Sequence, residues 1–171
     1  MSTYTLGPED GVLLVRTSRT GAVAKAGHDL LIHVTEWSAT LDTEGPSLTL
    51  DADASSLRVR EGTGGVKPLD EDDLAKIEQT IDDEVLLRRR IAFRSTRVQA
   101  GDRLRVHGEL TLVGTTRPIA FDLALEDGRV RGEAVVKQTE WGMKPYTALF
   151  GALKVADEVR VQVDAALPQP R

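Results

Sequence analysis

Three histidines, His28, His33 and His107, are the side chains of this sequence most suited to proton transfer or metal ligation near neutral pH. Their spacing matches no common metal pattern: His28 and His33 are five positions apart, and no His-x-His occurs. The chain has no cysteine, which removes disulfides, thiolate metal sites, iron–sulfur clusters and thiol nucleophiles. His107 falls on the polar face of an alternating stretch and reads as a surface residue. His33 sits in a strand whose register the sequence leaves open. His28 stands in Lys25-Ala26-Gly27-His28-Asp29-Leu30. An adjacent His and Asp suit a turn or cap, in which the carboxylate accepts backbone N–H groups. A catalytic pair needs a base oriented by a third group and aimed at a nucleophile. In an extended strand, neighbouring side chains face opposite ways. His28 therefore reads first as structural and second as a ligand contact.

Other chemical signatures are weaker. There is no Gly-x-Ser-x-Gly elbow for a serine hydrolase. With 27 acidic residues, chance carboxylate pairs are inevitable and spacing cannot single out a glycosidic pair. The Gly62–Pro68 stretch lacks P-loop spacing and reads as a loop. Glu140-Trp141-Gly142-Met143-Lys144-Pro145-Tyr146 brings two of seven aromatics together with a Gly and a Pro. Such a segment forms the lip of a pocket or plugs one end of a barrel.

The elements that must position these residues are mostly strands, read from a period of two. Leu104, Val106, Gly108, Leu110 and Leu112 form one face of a stretch, and Ile119, Phe121, Leu123 and Leu125 one face of the next. Val130, Gly132, Ala134 and Val136 form a third, and Val159, Val161, Val163, Ala165 and Leu167 a fourth. Four such alternations imply antiparallel strands with one wet face. Asp127-Gly128 marks a tight hairpin, and Gly114–Arg117 a short turn. Gly11–Arg19, Leu30–Leu41, Ser47–Arg60 and Ile91–Val98 are further strand candidates. The alternation changes register near Ser55-Ser56, which predicts a bulge or bend. One segment departs from this pattern. Leu74, Ile77, Ile81 and Val85 recur at helical spacing, with capping chemistry at Asp70 and Asp73, which predicts a helix over about 70–87.

The expected architecture is all-β: a single antiparallel barrel of about eight strands with one inserted helix, spanning 1–171 as one domain. A chain of 171 residues matches roughly one domain at about 150 residues each. Closure removes exposed strand edges, and eight strands close around side chains alone or around one small ligand. The net charge of −5 argues against a general nucleic-acid binder. No run approaches the ~20 apolar residues of a transmembrane segment, and no export signal is legible at the start. A cytoplasmic location is the expectation.

Several of these pieces match a known family. Gly108-Glu109-Leu110-Thr111-Leu112-Val113-Gly114-Thr115-Thr116-Arg117-Pro118-Ile119 resembles the strand–turn–strand signature of the YceI-like family. Ile91–Thr96 is similar to the preceding family strand, Tyr4-Thr5-Leu6 to the opening one, and Glu140-Trp141-Gly142 with Asp157-Glu158-Val159 to the closing motifs. Gln138 stands where relatives usually carry Arg. The resemblance implies a lipocalin-like barrel that holds a long apolar ligand, a polyisoprenoid or isoprenoid quinone, with no resident cofactor or metal. It also implies a binding protein rather than an enzyme, and a homodimer as a state to test. Candidate ligand contacts are His28, Phe93, Leu110, Leu112, Phe121, Leu123, Trp141, Tyr146, Phe150, Val161 and Val163. Two other functions compete: an enzyme on an apolar substrate using His28 and Asp29 with Lys144 or Tyr146, and an interaction module with a filled barrel.

Overall fold

Alternating apolar residues along most of the chain leave it little choice but to pair strands and bury one face of the result. The computed structural model describes residues 3–20, 29–63, 70–144, 147–148 and 153–168. Its strands are β1 (Thr3–Leu6), β2 (Gly11–Arg16), β3 (Arg19–Thr20), β4 (Asp29–Val34), β5 (Trp37–Asp42), β6 (Ser47–Ala52), β7 (Leu57–Thr63), β8 (Ile91–Gln99), β9 (Leu104–Leu112), β10 (Thr115–Glu126), β11 (Arg129–Lys137), β12 (Thr147–Ala148), β13 (Leu153–Val155) and β14 (Glu158–Ala166). A helix, α1 (Glu71–Thr80), lies between β7 and β8. Eleven strands form one antiparallel sheet in the order β1-β5-β6-β8-β9-β10-β11-β14-β2-β4-β7, and β12-β13-β3 form a small second sheet.

The all-β, barrel-like class is as expected, but there are more strands than about eight. Part of the excess is short strands, β1 and the three of the small sheet, and part comes from bends. The continuous strand expected over Leu30–Leu41 is two strands, β4 and β5, broken at Thr35-Glu36. Opposite it, β6 and β7 are separated by a short 3-10 turn, Ala54–Ser56, at the predicted register change. Hydrogen bonds carry the ribbon through this corner: Thr35 N–H donates to Ser56 O at 2.9 Å and Asp53 N–H to Glu36 O at 3.0 Å. Asp53 caps the turn by accepting from Ser55 N at 2.9 Å and Ser55 Oγ at 2.7 Å. The Ser55 hydroxyl, with its amide, holds the Asp53 carboxyl below its ordinary value. The bend lets one ribbon serve both ends of the sheet, since β4 pairs with β2 while β6 pairs with β8. The path of pairing thus returns on itself as a ring.

Turn chemistry sets the hairpins. Asp127 and Gly128 have φ of 52° and 72°, the double positive φ of a type I′ turn. The turn expected over Gly114–Arg117 is shorter and earlier, a two-residue link at Val113 (φ 47°) and Gly114 (φ 77°). Thr115–Arg117 instead pair within β10. A β-branched residue at positive φ is strained, and the pairing of β9 with β10 on either side holds Val113 there.

The expected helix also divides. Asp70 and Asp73 form a reciprocal capping box, with Asp73 N–H to Asp70 Oδ1 at 2.8 Å and Asp70 N–H to Asp73 Oδ2 at 3.1 Å. Three acidic residues in the first turn complement the helix dipole. After Thr80 the chain widens into a π-turn, Ile81–Val85, where Leu86 N–H reaches back to Ile81 O at 2.8 Å. Leu87 and Arg88 then turn at positive φ into β8. The apolar stripe Leu74, Ile77, Ile81, Val85 packs against the core.

Candidate functional site

The inward faces of the strands enclose an apolar cavity of about 240 Å³. Its wall includes Leu13 and Val15 of β2, Leu30, Ile32 and Val34 of β4, and Leu48 and Leu50 of β6. Across it stand Ile119, Phe121 and Leu123 of β10, Ala134 of β11, and Val161 and Val163 of β14. Ile77, Ile81, Val85 and Leu86 close one side as a lid. Among the described residues, the polar ones bordering it include Thr17, Glu133 and Gln138. Each is engaged: Thr17 Oγ accepts from Leu30 N–H at 3.2 Å, and Gln138 Nε2 donates to Ala156 O at 3.2 Å. The Glu133 carboxylate accepts from Gln162 at 2.6 Å and Arg160 at 3.2 Å.

Burial distinguishes a filled zone from an open one. Leu41, Val106, Trp141 and Ala165 are at most 1% exposed. Val15, Leu50, Phe121, Ala134, Val161 and Val163 also point inward, yet are only half-buried. Apolar inward side chains that retain accessible surface border space that the protein does not fill.

The inward glycines do not create that space. A Cβ on Gly108 would lie 2.4 Å from Cζ of Phe93, and one on Gly132 2.4 Å from Cδ2 of Leu123. Those positions are small because a cross-strand side chain lies over them. Phe93 in turn packs on Phe121, with ring centroids 5.4 Å apart and planes at 56°.

Of the candidate contacts read from sequence, Phe93, Leu110, Leu112, Phe121, Leu123, Val161 and Val163 line the cavity. Trp141 does not. It is 1% exposed and gives its Nε1–H to Leu110 O at 2.8 Å, the position of a plug. The turn that carries it, Gln138–Trp141, is fastened by Asp157, which accepts from Thr139 N at 2.8 Å and Thr139 Oγ at 2.6 Å. Burial opposes ionisation of Asp157, but the two Thr139 bonds and the Lys137 charge outweigh it and hold its carboxyl below the ordinary value. His28, Tyr146 and Phe150 lie outside the described residues, as does the pairing of His28 with Asp29. His33 alternates with buried Ile32 and Val34, and so faces outward. Among the described residues, no group of three or more His, Asp or Glu is placed to hold a metal ion.

The sequence reading assigned no cavity role to β2, β4, β6 or the lid. The alternation of Leu30, Ile32 and Val34 was blurred by Leu31 on the opposite face. The helical stripe marked a core face without showing what it covers.

A second, polar pocket of about 420 Å³ is bordered by Arg16, Ser18, Asp29, Glu158 and Arg160. Thr17 and Leu30 border both spaces, so the polar pocket adjoins the apolar cavity at that end of β2 and β4. The arrangement offers an amphiphile an oily interior next to a charged exterior.

Comparison with known proteins agrees with this geometry. The family model described as the YceI-like domain matches residues 17–167. The fold is similar to the crystal structure of BcnA from Burkholderia cenocepacia, with 15% identity and a TM-score of 0.57, covering 89% of this chain and 94% of that one. It is also similar to the crystal structure of the YceI protein of Campylobacter jejuni, with 13% identity and a TM-score of 0.55, covering 81% of this chain and 84% of that one. None of the curated proteins compared matches the chain. At such identities the structural likeness speaks for the fold alone.

Proposed function

We propose that this chain, which belongs to the YceI-like domain family, is a non-catalytic binding protein that holds a long apolar or amphiphilic ligand in its barrel, an isoprenoid lipid or quinone in particular. The observation that carries the reading is the cavity wall: apolar side chains from most strands of the barrel and a helical lid, several of them incompletely covered by the protein itself. Burying a methylene is worth about 0.8 kcal/mol. Ten of them give about 8 kcal/mol, which falls within the 4–15 kcal/mol that association costs. A short chain is therefore held weakly and a long one tightly, which favours a polyisoprenoid over a short fatty acid. A polar end group has the Thr17 junction and the charged pocket beyond it. No helix among the described residues is long and apolar enough to cross a membrane.

Native mass spectrometry of the purified protein, with organic extraction of the same sample, tests this reading. The expected result is a lipid at about one per chain, or its uptake on incubation with a long-chain isoprenoid quinone. The same spectra count the chains in the loaded species. A protein that neither carries a lipid nor takes one up overturns the proposal.

A further inference from the structure

The polar pocket beside the cavity is bordered by charges of both signs: Arg16 and Arg160 against Asp29 and Glu158. Strand register sets their places. Arg16 stands opposite Arg160 across the β2–β14 pair. Their neighbours Val15 and Val161 line the cavity, so the two arginines lie on the outer face of the sheet. Glu158 precedes Arg160 by two residues and shares that face, with Lys137 opposite it in register and outside the pocket. Asp29 opens β4, two residues before Leu31, which pairs with Arg16.

Like charges set directly opposite each other across a strand pair repel, yet here the two arginines are held side by side. Arg16 Nε donates to Gln162 Oε1 at 2.8 Å, and Arg160 Nη1 donates to Glu133 Oε1 at 3.2 Å. Gln162 Nε2 closes the chain of bonds by donating to Glu133 Oε2 at 2.6 Å. These bonds come from the side away from Glu158, since Gln162 follows Arg160 by two residues and Glu158 precedes it. Each uses one of the three nitrogens of its guanidinium. Among the described residues, the one carboxylate bonded to the arginine pair is Glu133, and Glu158 makes no ion pair. A ligand head of a single sign gains little from such a pocket. An anion drawn to the arginines meets Glu158 and Asp29, and a cation drawn to the carboxylates meets the arginines. A head of both signs is attracted twice. The pocket, at about 420 Å³, is also far larger than the roughly 30 Å³ share of one liquid water. It shares Thr17 and Leu30 with the apolar cavity, so a head seated there leaves its tail in the oily space.

We infer that the polar pocket seats a zwitterionic head group, its anionic part against Arg16 and Arg160 and its cationic part against Glu158, while the tail fills the cavity. The inference rests on the cavity being the ligand site and concerns the end group alone. It favours a lipid with a charged head over a quinone, whose neutral ring leaves these charges to solvent.

The test uses amphiphiles that share a dodecyl chain: dodecyl sulfobetaine, dodecyl sulfate, dodecyltrimethylammonium and, as the neutral reference, dodecanol. Each displaces an uncharged fluorescent probe, phenylnaphthylamine, from the purified protein, below the concentration at which it forms micelles. The sulfobetaine is expected to bind about tenfold tighter than either singly charged compound, a difference of about 1.4 kcal/mol. Measured against dodecanol in the same protein, the sulfobetaine advantage is expected to fall to about twofold or less in Arg16→Gln and in Glu158→Gln. A singly charged compound that binds as tightly as the sulfobetaine overturns the inference, and so does an advantage that survives in either variant; dodecanol binding then still upholds the cavity as a site. Displacement by none of the compounds overturns both. The ranking in the unaltered protein needs no variant, so it decides the matter even where a substitution impairs folding.

Discussion

Enlarging Ala134 to leucine sets a vacant interior against a filled one by the sign of a stability change. Ala134 lies on β11 opposite Val161 of β14, faces the cavity and is half-buried. The substitution Ala134→Leu adds three carbons. If they enter the open space, they gain about 0.8 kcal/mol each, so up to about 2.4 kcal/mol. Because such areas overstate burial on folding, about 1–2 kcal/mol is the working figure. In a close-packed core, the same three carbons would force rotamers and backbone, costing about 1–3 kcal/mol. The two cases differ by roughly 3 kcal/mol and in sign. Urea unfolding followed by far-ultraviolet circular dichroism reads this directly. With a slope of about 2 kcal/mol per molar, the midpoint is expected to rise by about 0.5–1 M at unchanged slope. The same variant should lose affinity for a long-chain ligand by about tenfold or more, since the added side chain occupies the ligand's space. A midpoint lowered by 0.5 M or more, with lipid uptake undiminished, refutes the reasoning.

Three further outcomes follow from named contacts. Gly108→Ala places a methyl against Phe93 and the Arg94 carbonyl, whereas Gly128→Ala meets nothing within 4 Å and suffers only its positive φ. Thermal unfolding should therefore show a loss of about 1–2 kcal/mol at Gly128 and a distinctly larger one at Gly108. Glu78 of α1 accepts the Val59 N–H of β7 at 2.8 Å, beside the irregular step in the β4–β7 pairing. Glu78→Ala should loosen the lid, seen as faster amide exchange over 71–85 and faster ligand release in stopped-flow displacement. Asp164 accepts from the Arg129 side chain, which with the charges of Arg129 and Arg131 holds its carboxyl below the ordinary value despite some burial. A carboxyl depressed in the folded state contributes stability above its unfolded value of about 3.9 and loses it as pH falls through the folded one. Asp164→Asn should flatten the fall in melting temperature below about pH 4 and lower it modestly at pH 7.

The parts of the molecule that the sequence made legible are those governed by local chemistry. Strict alternation over 104–136 and 158–166 placed β9, β10, β11 and β14 and picked out six residues that line the cavity. Asp127-Gly128 fixed a turn through its need for positive φ, and the Asp70–Asp73 pair fixed a helix start. What stayed hidden depends on partners distant in sequence. The corner at Thr35-Glu36 exists because Ser56 and Asp53 lie opposite to bond it, and nothing within Leu30–Leu41 announces that. Gly108 and Gly132 look like vacancies until the ring of Phe93 and the side chain of Leu123 are seen lying over them.

The seam between β2 and β14 joins the two extremes of the described chain: Arg16 donates to Gln162 across 146 residues. The meander from β8 to β11 needs only neighbouring hairpins and can zip early, while this seam must await the meeting of distant segments at a high cost in loop entropy. Until it closes, the oil-coloured inner surface is a trough open to water rather than a chamber. The closed chamber is thus the product of one long-range stitch, and anything that unpicks residues 158–166 opens it to water.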